Sequence, residues 1–572
     1  MKARVIKSIG LIMTVTTFFF QPYSATGQDI EHLKLNNKVS LHGNLNLQLE
    51  YYHASEIDPR KKEFSWLING NPTLNLFGIQ VPFSFLFSNF ENKFYQPFNQ
   101  FGISPYYRWV KLHLGYRNIT YSPYTLAGHT MLGAGFDLTP GKFRVGFMYG
   151  RLRRSTSVDS SMYANPQLVR PVPVYKRLGY AMKVGYGTSK NYIDLIYFKG
   201  WDSEKSLSKS LKDSVQPAEN KTVGLSGQVM LGKRLAWKTD LGFSAYTANS
   251  DDSKDTGNID KENKWIKSIM SPLVTDKVST RYYFAGETKL SYQMKKWTSE
   301  LLYKRIDPGY QSMGAYFFQS DLREILFVNK FKLDSGKLNI NTSIGFQKDN
   351  LKKLKTSTAK RFIGSANISY VPTLHFGINF NYNNYGITNN PLATSQGNES
   401  FKQVSNSVTM MPFFNWMNET SVKNLNFVFA YQSLSTPESS IGSIPDLNTY
   451  SVTAGYNHSW LKQGLSGNGA LNYILSKTPQ GDLESVGGTI GAGIPVMKRK
   501  VHLNTVLSYL SNKFDKKPNG NTFRGSLGAM VPVGTHHNFQ LMINYLKNKA
   551  INTSVVENFS ETSVQFIYGL TF

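Results

Sequence analysis

From Ser40 to its last residue the chain alternates apolar and polar side chains, and this period of two constrains the fold more than any other feature. The pattern is cleanest over residues 561–572, ETSVQFIYGLTF. Val564, Phe566, Tyr568, Leu570 and Phe572 alternate there with Ser563, Gln565, Ile567, Gly569 and Thr571. Successive side chains of a strand point to opposite faces, so this is a strand with one apolar and one mostly polar face. Residues 40–52 repeat it, with Leu41, Leu45, Leu47, Leu49 and Tyr51 opposite His42, Asn44, Asn46, Gln48 and Glu50. The texture persists through 572 residues without a Pro-rich or Gly/Ser-rich linker, which is not how a string of soluble domains reads.

Composition narrows the class. The chain carries 33 Tyr and 37 Phe, yet its mean hydropathy is -0.33. That combination suits a wall that is apolar outside and polar inside. It excludes a helical membrane protein, which needs apolar runs of about 20 residues. The one such run is at the start: Lys2, Arg4 and Lys7, then Ile9 to Phe20, then Ser24, Ala25, Thr26 and Gly27. Residues 1–27 are therefore read as a signal peptide, 28–39 as a short periplasmic segment and 40–572 as one transmembrane barrel. The chain has no cysteine, so neither a lipid anchor on cysteine nor a disulfide is expected. The net charge of +27 becomes +24 when Lys2, Arg4 and Lys7 are lost (27 − 3). At an outer membrane the nearest polyanion is lipopolysaccharide, and nucleic acid is not an expected partner.

Hairpin chemistry sets the topology. Gly, Pro, Asn, Asp and Lys mark tight turns at 139–142, 188–191, 232–234, 294–296, 334–337, 371–373, 417–423, 461–464, 497–500 and 532–537. Longer polar connections lie at 152–177, 202–220, 247–280, 383–404 and 547–560. Short periplasmic turns alternating with long external loops predict an all-β, single-chain transmembrane antiparallel β-barrel of about 26 strands, within a range of about 22–26. An even count requires an extra hairpin, placed at 94–103 and 107–117. Trp237, Trp297, Trp416 and Trp460 sit beside predicted periplasmic turns, as interfacial girdles require. Strand 561–572 is expected to close the barrel against 40–52, leaving no sheet edge in lipid.

With the apolar face given to lipid, the lumen of the N-terminal half is charged. It includes Lys111, His113, Arg144, Lys183, Asp194, Lys238, Asp240, Glu287, Lys289, Glu300 and Lys304. These groups read either as ion pairs across the wall or as a pore lining. The C-terminal half is lined by amides such as Asn339, Asn341, Asn379, Asn381, Asn468, Asn472, Asn504 and Asn544, with His375. Strong anion selectivity is not expected. Loops 118–130 and 306–321 are aromatic and nearly uncharged, unlike 202–220 and 247–280, which read as exposed external loops. Such residues are poorly placed in water, so both loops are expected to fold into the barrel mouth. Candidate constriction residues are Asp307, Tyr310, Tyr316, Phe317, Phe318 and His129. The alternative for residues 307–318 is a simple Asp-Pro-Gly turn with an aromatic packing plug.

Two resemblances fit this reading. The aromatic-ended last strand, with Phe566, Tyr568 and Phe572, resembles the assembly signal of bacterial outer-membrane barrels, which implies the barrel-assembly machinery as a partner. Tyr303-Lys304-Arg305-Ile306-Asp307-Pro308-Gly309-Tyr310, Gly314-Ala315-Tyr316-Phe317-Phe318 and Gly345-Phe346-Gln347-Lys348-Asp349-Asn350 resemble segments of large outer-membrane barrels of Bacteroidota. That likeness implies the outer membrane of a Gram-negative bacterium and the barrel fold, and carries no activity with it.

Linear chemical motifs are absent. There is no G-x-S-x-G, H-E-x-x-H or P-loop. Asp251, Ser253, Asp255 and Glu262 have EF-hand-like spacing, but Thr256 stands where glycine is needed and Lys254 adds repulsion. No catalytic, cofactor or metal residue is assigned. The expected function is a channel or export barrel gated by inward aromatic loops. The alternatives are a barrel that docks a periplasmic or secreted protein, and a barrel-embedded hydrolase, which requires Ser, His and a carboxylate to converge.

Overall fold

The computed structural model describes residues 39–89, 99–156, 173–208, 215–254, 263–315, 319–353, 358, 360–389, 401–439, 446–551 and 558–572. The expected signal peptide and nearly all of the expected periplasmic segment lie outside these residues, as does part of the predicted strand 94–103.

The strands form one continuous antiparallel sheet that closes on itself. Twenty-nine strand segments are hydrogen-bonded in it, and three membrane-crossing runs are each split in two. The split runs are Ser40–His42 with Asn44–Ser55, Phe64–Gly70 with Thr73–Leu76, and Gln100–Ile103 with Tyr106–Tyr107. Subtracting three leaves a 26-strand barrel. Closure joins the first strand to the last, in register from Asn44↔Thr571 to Ser55↔Ser560. At the seam Gly43 and Phe572 exchange both backbone hydrogen bonds, at 2.7 and 3.0 Å.

The alternation becomes two environments. Leu195, Leu471, Ile490 and Leu527 are exposed on the outer face. Trp237, Trp416 and Trp460 are exposed beside periplasmic turns, and Trp297 stacks on Phe331 with ring centroids 6.0 Å apart. A closed barrel with an apolar exterior and interfacial aromatics satisfies every backbone group within lipid. The protein is thus built for, and located in, an outer membrane.

Three expectations are corrected. External connections in the last third are not all long: Thr478 to Gly481 and Phe514 to Lys517 are two-residue turns, the second with Asp515 and Lys516 at φ 47° and 64°. Left-handed residues at both central positions give the I′ turn whose twist matches a hairpin. The strands instead run far past the membrane, Ser421–Ser439 reaching 19 residues where about 9–11 suffice to cross. His375 sits on a periplasmic turn, its Nδ1 3.0 Å from the Asn415 carbonyl, and is not part of the lumen wall. Finally, 247–280 is not simply a solvated loop. It carries the helix Lys264–Met270, whose Ile266 and Met270 are buried against the outer wall at Ala245 and Tyr282.

Candidate functional site: a lumen half filled by two loops

Loop 119–129 leaves strand Val110–Asn118 and turns inward. It closes on itself through Tyr121 N–H to the Leu126 carbonyl at 2.9 Å and Thr125 N–H to Ser122 at 3.2 Å. Tyr124 and Leu126 are fully buried. The second loop leaves strand Trp297–Ile306 and is fixed at its root by Asp307. The Asp307 carboxylate accepts the Phe284 N–H at 3.0 Å and faces Arg305 at 3.3 Å, and its carbonyl accepts the Tyr310 N–H at 3.1 Å. The loops then lock together. Ala127 N–H reaches the Gly314 carbonyl at 2.9 Å, Ser312 Oγ donates to Thr125 at 2.7 Å, and the Tyr310 hydroxyl donates to the Tyr124 carbonyl at 2.5 Å. The two tyrosine rings meet edge to face at 6.3 Å, a preferred aromatic geometry.

The wall beneath is shaped for them. Met148, Leu152, Ile196 and Phe198 face inward and are fully buried under Leu126 and Met313. Gly242 and Gly224 supply room: a Cβ on Gly242 would lie 2.6 Å from Tyr124 Cβ, and one on Gly224 2.6 Å from Thr125 Cγ2. Asn220 ties wall to loop, accepting the Met313 N–H at 3.0 Å while donating to Ser244 at 2.8 Å; Ser244 in turn donates to the Gln311 carbonyl.

Of the expected constriction residues, Asp307 and Tyr310 are buried anchors of the loop rather than a rim. Tyr316, Phe317 and Phe318 lie outside the described residues. Most of the expected lumen charges are paired, among them Lys238–Asp240 at 3.4 Å, Lys289–Glu300 at 3.6 Å and Lys304–Glu287 at 4.0 Å. Glu287 also accepts the Tyr124 hydroxyl at 3.0 Å, which fastens the first loop to this ladder. His129 is buried at the end of that loop. Burial, and then the nearby Arg177 and Arg153 guanidiniums, keep it neutral and push it down to about 3.

Sequence reasoning missed the strongest charge cluster. Asp202 is clasped by Arg177 through two bonds of 2.8 and 2.9 Å, by Arg153 at 3.2 Å and by the Ala218 N–H at 3.3 Å. The signal was available, because pairing outward from the 188–191 turn sets Arg177 opposite Asp202. Replacing Asp202 with Asn leaves two guanidiniums without their counter-ion in a buried site and is expected to cost about 3–5 kcal/mol. Lys289→Met breaks a half-exposed pair and is expected to cost under about 1 kcal/mol. Denaturant unfolding of both variants in detergent checks the contrast; equal losses would contradict it.

A Ser–His–carboxylate convergence does occur. Ser104 Oγ lies 3.1 Å from His113 Nδ1, and His113 Nε2 lies 2.9 Å from Asp137. Ser104 and His113 are both buried, and the Ser104 N–H is spent on the Pro82 carbonyl at 3.1 Å. A hydrolase needs an exposed nucleophile beside oxyanion donors. This relay instead ties together the irregular run where the strands are shortest.

The C-terminal half differs. Asn468, His502 and Asn504 on its inner face are exposed, and cross-strand amides and hydroxyls pair, as in Thr453–Asn472 at 2.9 Å and Asn544–Ser563 at 3.3 Å. Near the seam, loop 56–63 sends Lys61 to Glu50 at 2.8 Å and Arg60 to Glu561 at 3.5 Å. Both wall carboxylates are thereby neutralised above a pocket of about 590 Å³, in which Arg524 pairs with no other described residue. At the outer face of the closing strand, Phe566 and Tyr568 pack on Phe539 at 6.4 and 5.0 Å.

No family model and no curated protein matches the chain. Among solved structures, it is similar to the FrpB iron transporter from Neisseria meningitidis (F3-3 variant), at 10% identity and a TM-score of 0.38, covering 94% of this chain and 82% of that one. It is similar to the copper transporter OprC at 7% identity and a TM-score of 0.37, covering 93% and 81%. It is also similar to Acinetobacter baumannii OccAB2 at 9% identity and a TM-score of 0.30, covering 66% and 97%. At these values the likenesses carry no argument about what this chain transports or binds.

Proposed function

We propose that the protein is a passive outer-membrane channel for small polar solutes, narrowed and gated by loops 119–129 and 307–321. The observation that carries this reading is the contrast between the two halves of the lumen. Much of the inner face of the N-terminal half is buried beneath interlocked loops, while that of the C-terminal half is half-buried to exposed and lined mainly by neutral side chains such as Asn468, Asn472, Asn504 and Ser508. Neutral donors and acceptors replace part of a solute's hydration without selecting a charge. With most lumen charges paired and Arg524 the exception at the seam pocket, a slight anion preference follows.

Purified protein in planar bilayers should give discrete conductance steps, with Cl⁻ favoured over K⁺ by no more than a few-fold. Liposomes containing it should swell in arabinose. An electrically silent barrel, and liposomes that do not swell, would reject the channel. If such a sealed barrel also co-purified with one protein at fixed stoichiometry, the docking alternative would replace it.

A further inference from the structure

The outer wall beside the helix Lys264–Met270 carries a charge arrangement that the barrel alone does not explain. Lys199 and Lys221 are directly opposed across neighbouring strands, and Lys221 is in turn opposite Ala245. Like charges placed directly opposite destabilise a sheet. Both ammoniums share one oxygen of Glu219, at 3.5 and 2.9 Å. Lys277 enters the same recess from the connection above, donating to the Ser250 carbonyl. The recess holds about 270 Å³ and is lined by three lysines and one glutamate, a net charge of 3 − 1 = +2.

Its height decides what can meet it. The eight residue steps from Trp237, at the periplasmic girdle, to Ala245 climb about 20 Å at about 2.5 Å per tilted residue. An apolar band is about 25 Å tall, so the lysines stand near its upper edge, where phosphates of the outer leaflet lie. The helix lies at the same level. Its inner face packs on Ala245 and Tyr282, and Trp265 packs on Phe243 and Phe284 at 5.7 and 5.5 Å. Trp265, Ile269 and Leu273 nevertheless remain 52%, 44% and 43% exposed. In water that surface is unfavourable; against acyl chains it is matched.

We propose that this recess binds the phosphate of an outer-leaflet glycolipid of the lipopolysaccharide class, with the helix lying against its acyl chains. Lys199, Lys221 and Lys277 supply charge-assisted hydrogen bonds to the phosphate oxygens, and the shared Glu219 keeps the two opposed lysines together when the site is empty. The inference is independent of whether the barrel conducts.

The test uses the full-length mature protein in phosphatidylcholine vesicles with or without purified lipopolysaccharide, with folding checked by heat-modifiable migration. The unfolding temperature should rise by several degrees with lipopolysaccharide. The rise should vanish in the triple variant Lys199→Gln, Lys221→Gln, Lys277→Gln and persist in the corresponding triple Arg variant. Inorganic phosphate at matched concentration should not reproduce it. Brominated phosphatidylcholine should quench less of the tryptophan emission of Trp265→Phe than of the unmodified protein. An equal rise in the triple Gln variant, a rise with inorganic phosphate alone, or unchanged quenching in Trp265→Phe would each overturn the proposal. Where the triple Gln variant does not fold, the quenching measurement decides alone.

Discussion

Val564→Pro is expected to abolish the folded barrel: no heat-modifiable protein should be recovered from the outer membrane. Val564 pairs with Tyr51 on one side and with Ile543 on the other, so its strand has no free edge to accommodate a residue without an N–H. In water the orphaned partner would be solvated. In the hydrocarbon core an unsatisfied backbone group costs several kcal/mol, and proline adds its own steric clash. The position matters because strand Phe559–Thr571 closes the barrel, and without it strand Asn44–Ser55, still paired with Phe64–Gly70 on its other side, presents an open edge to lipid. Val564→Thr keeps the ladder and the branched shape, and should assemble normally. Deleting Phe572 removes the reciprocal bonds with Gly43 and should lower assembly yield by a smaller margin. Recovery of Val564→Pro at the level of Val564→Thr would show that closure does not depend on this ladder.

That strand also marks what was legible in the sequence. Its alternation, the girdle tryptophans and the turn residues follow from period two and hairpin chemistry, and the register Leu45↔Leu570 and Tyr51↔Val564 bears out the expected seam. The hairpin placed at 94–103 and 107–117 exists but turns later. Tyr106 and Tyr107 still pair with Lys111 and Val110, and the chain reverses at Arg108, in the left-handed region at φ 52°. Nothing in the residue types announces that, since arginine is not a residue such a turn favours.

The interior was legible only where it is polar. Residues 192–201, YIDLIYFKGW, are apolar on both faces, which a period-two reading accepts as a strand without asking what covers the inner side. Ile196 and Phe198 on that side required a cover, and Gly242 and Gly224 mark where it lands. Inward folding of loops 118–130 and 306–321 could be inferred from their lack of charge; their landing site needed the three-dimensional register. The helix Lys264–Met270 was hidden for the opposite reason. Its charged surroundings suggested solvent, although Ile266 and Met270 are spaced four apart, as one helix face requires.

Replacing residues 307–321 with a short Gly/Ser turn is expected to raise single-channel conductance several-fold without loss of the barrel. The wall strands on either side, Trp297–Ile306 and Leu322–Leu333, are paired along their whole length and do not need the loop to hold register. What is lost is the cover. Tyr310 and Met313 are buried side chains, each contributing about 1.5–3 kcal/mol of apolar burial. The bonds to Tyr124, Thr125 and Ala127 contribute about 1 kcal/mol each. Without them loop 119–129 keeps its internal turn and the Tyr124–Glu287 bond, but loses the partner that holds it against Gly242. The open state should therefore be both larger and noisier. Tyr310→Ala removes one ring and one bond at a cost of about 3–5 kcal/mol, enough to flicker between the two levels rather than settle at the higher one. The ordering follows from where the residues sit, since Asp307 and Tyr310 anchor the loop and excision removes anchor and cover together. If excision leaves conductance unchanged in correctly folded protein, the two loops are packing elements of the wall and the solute path lies elsewhere in the lumen.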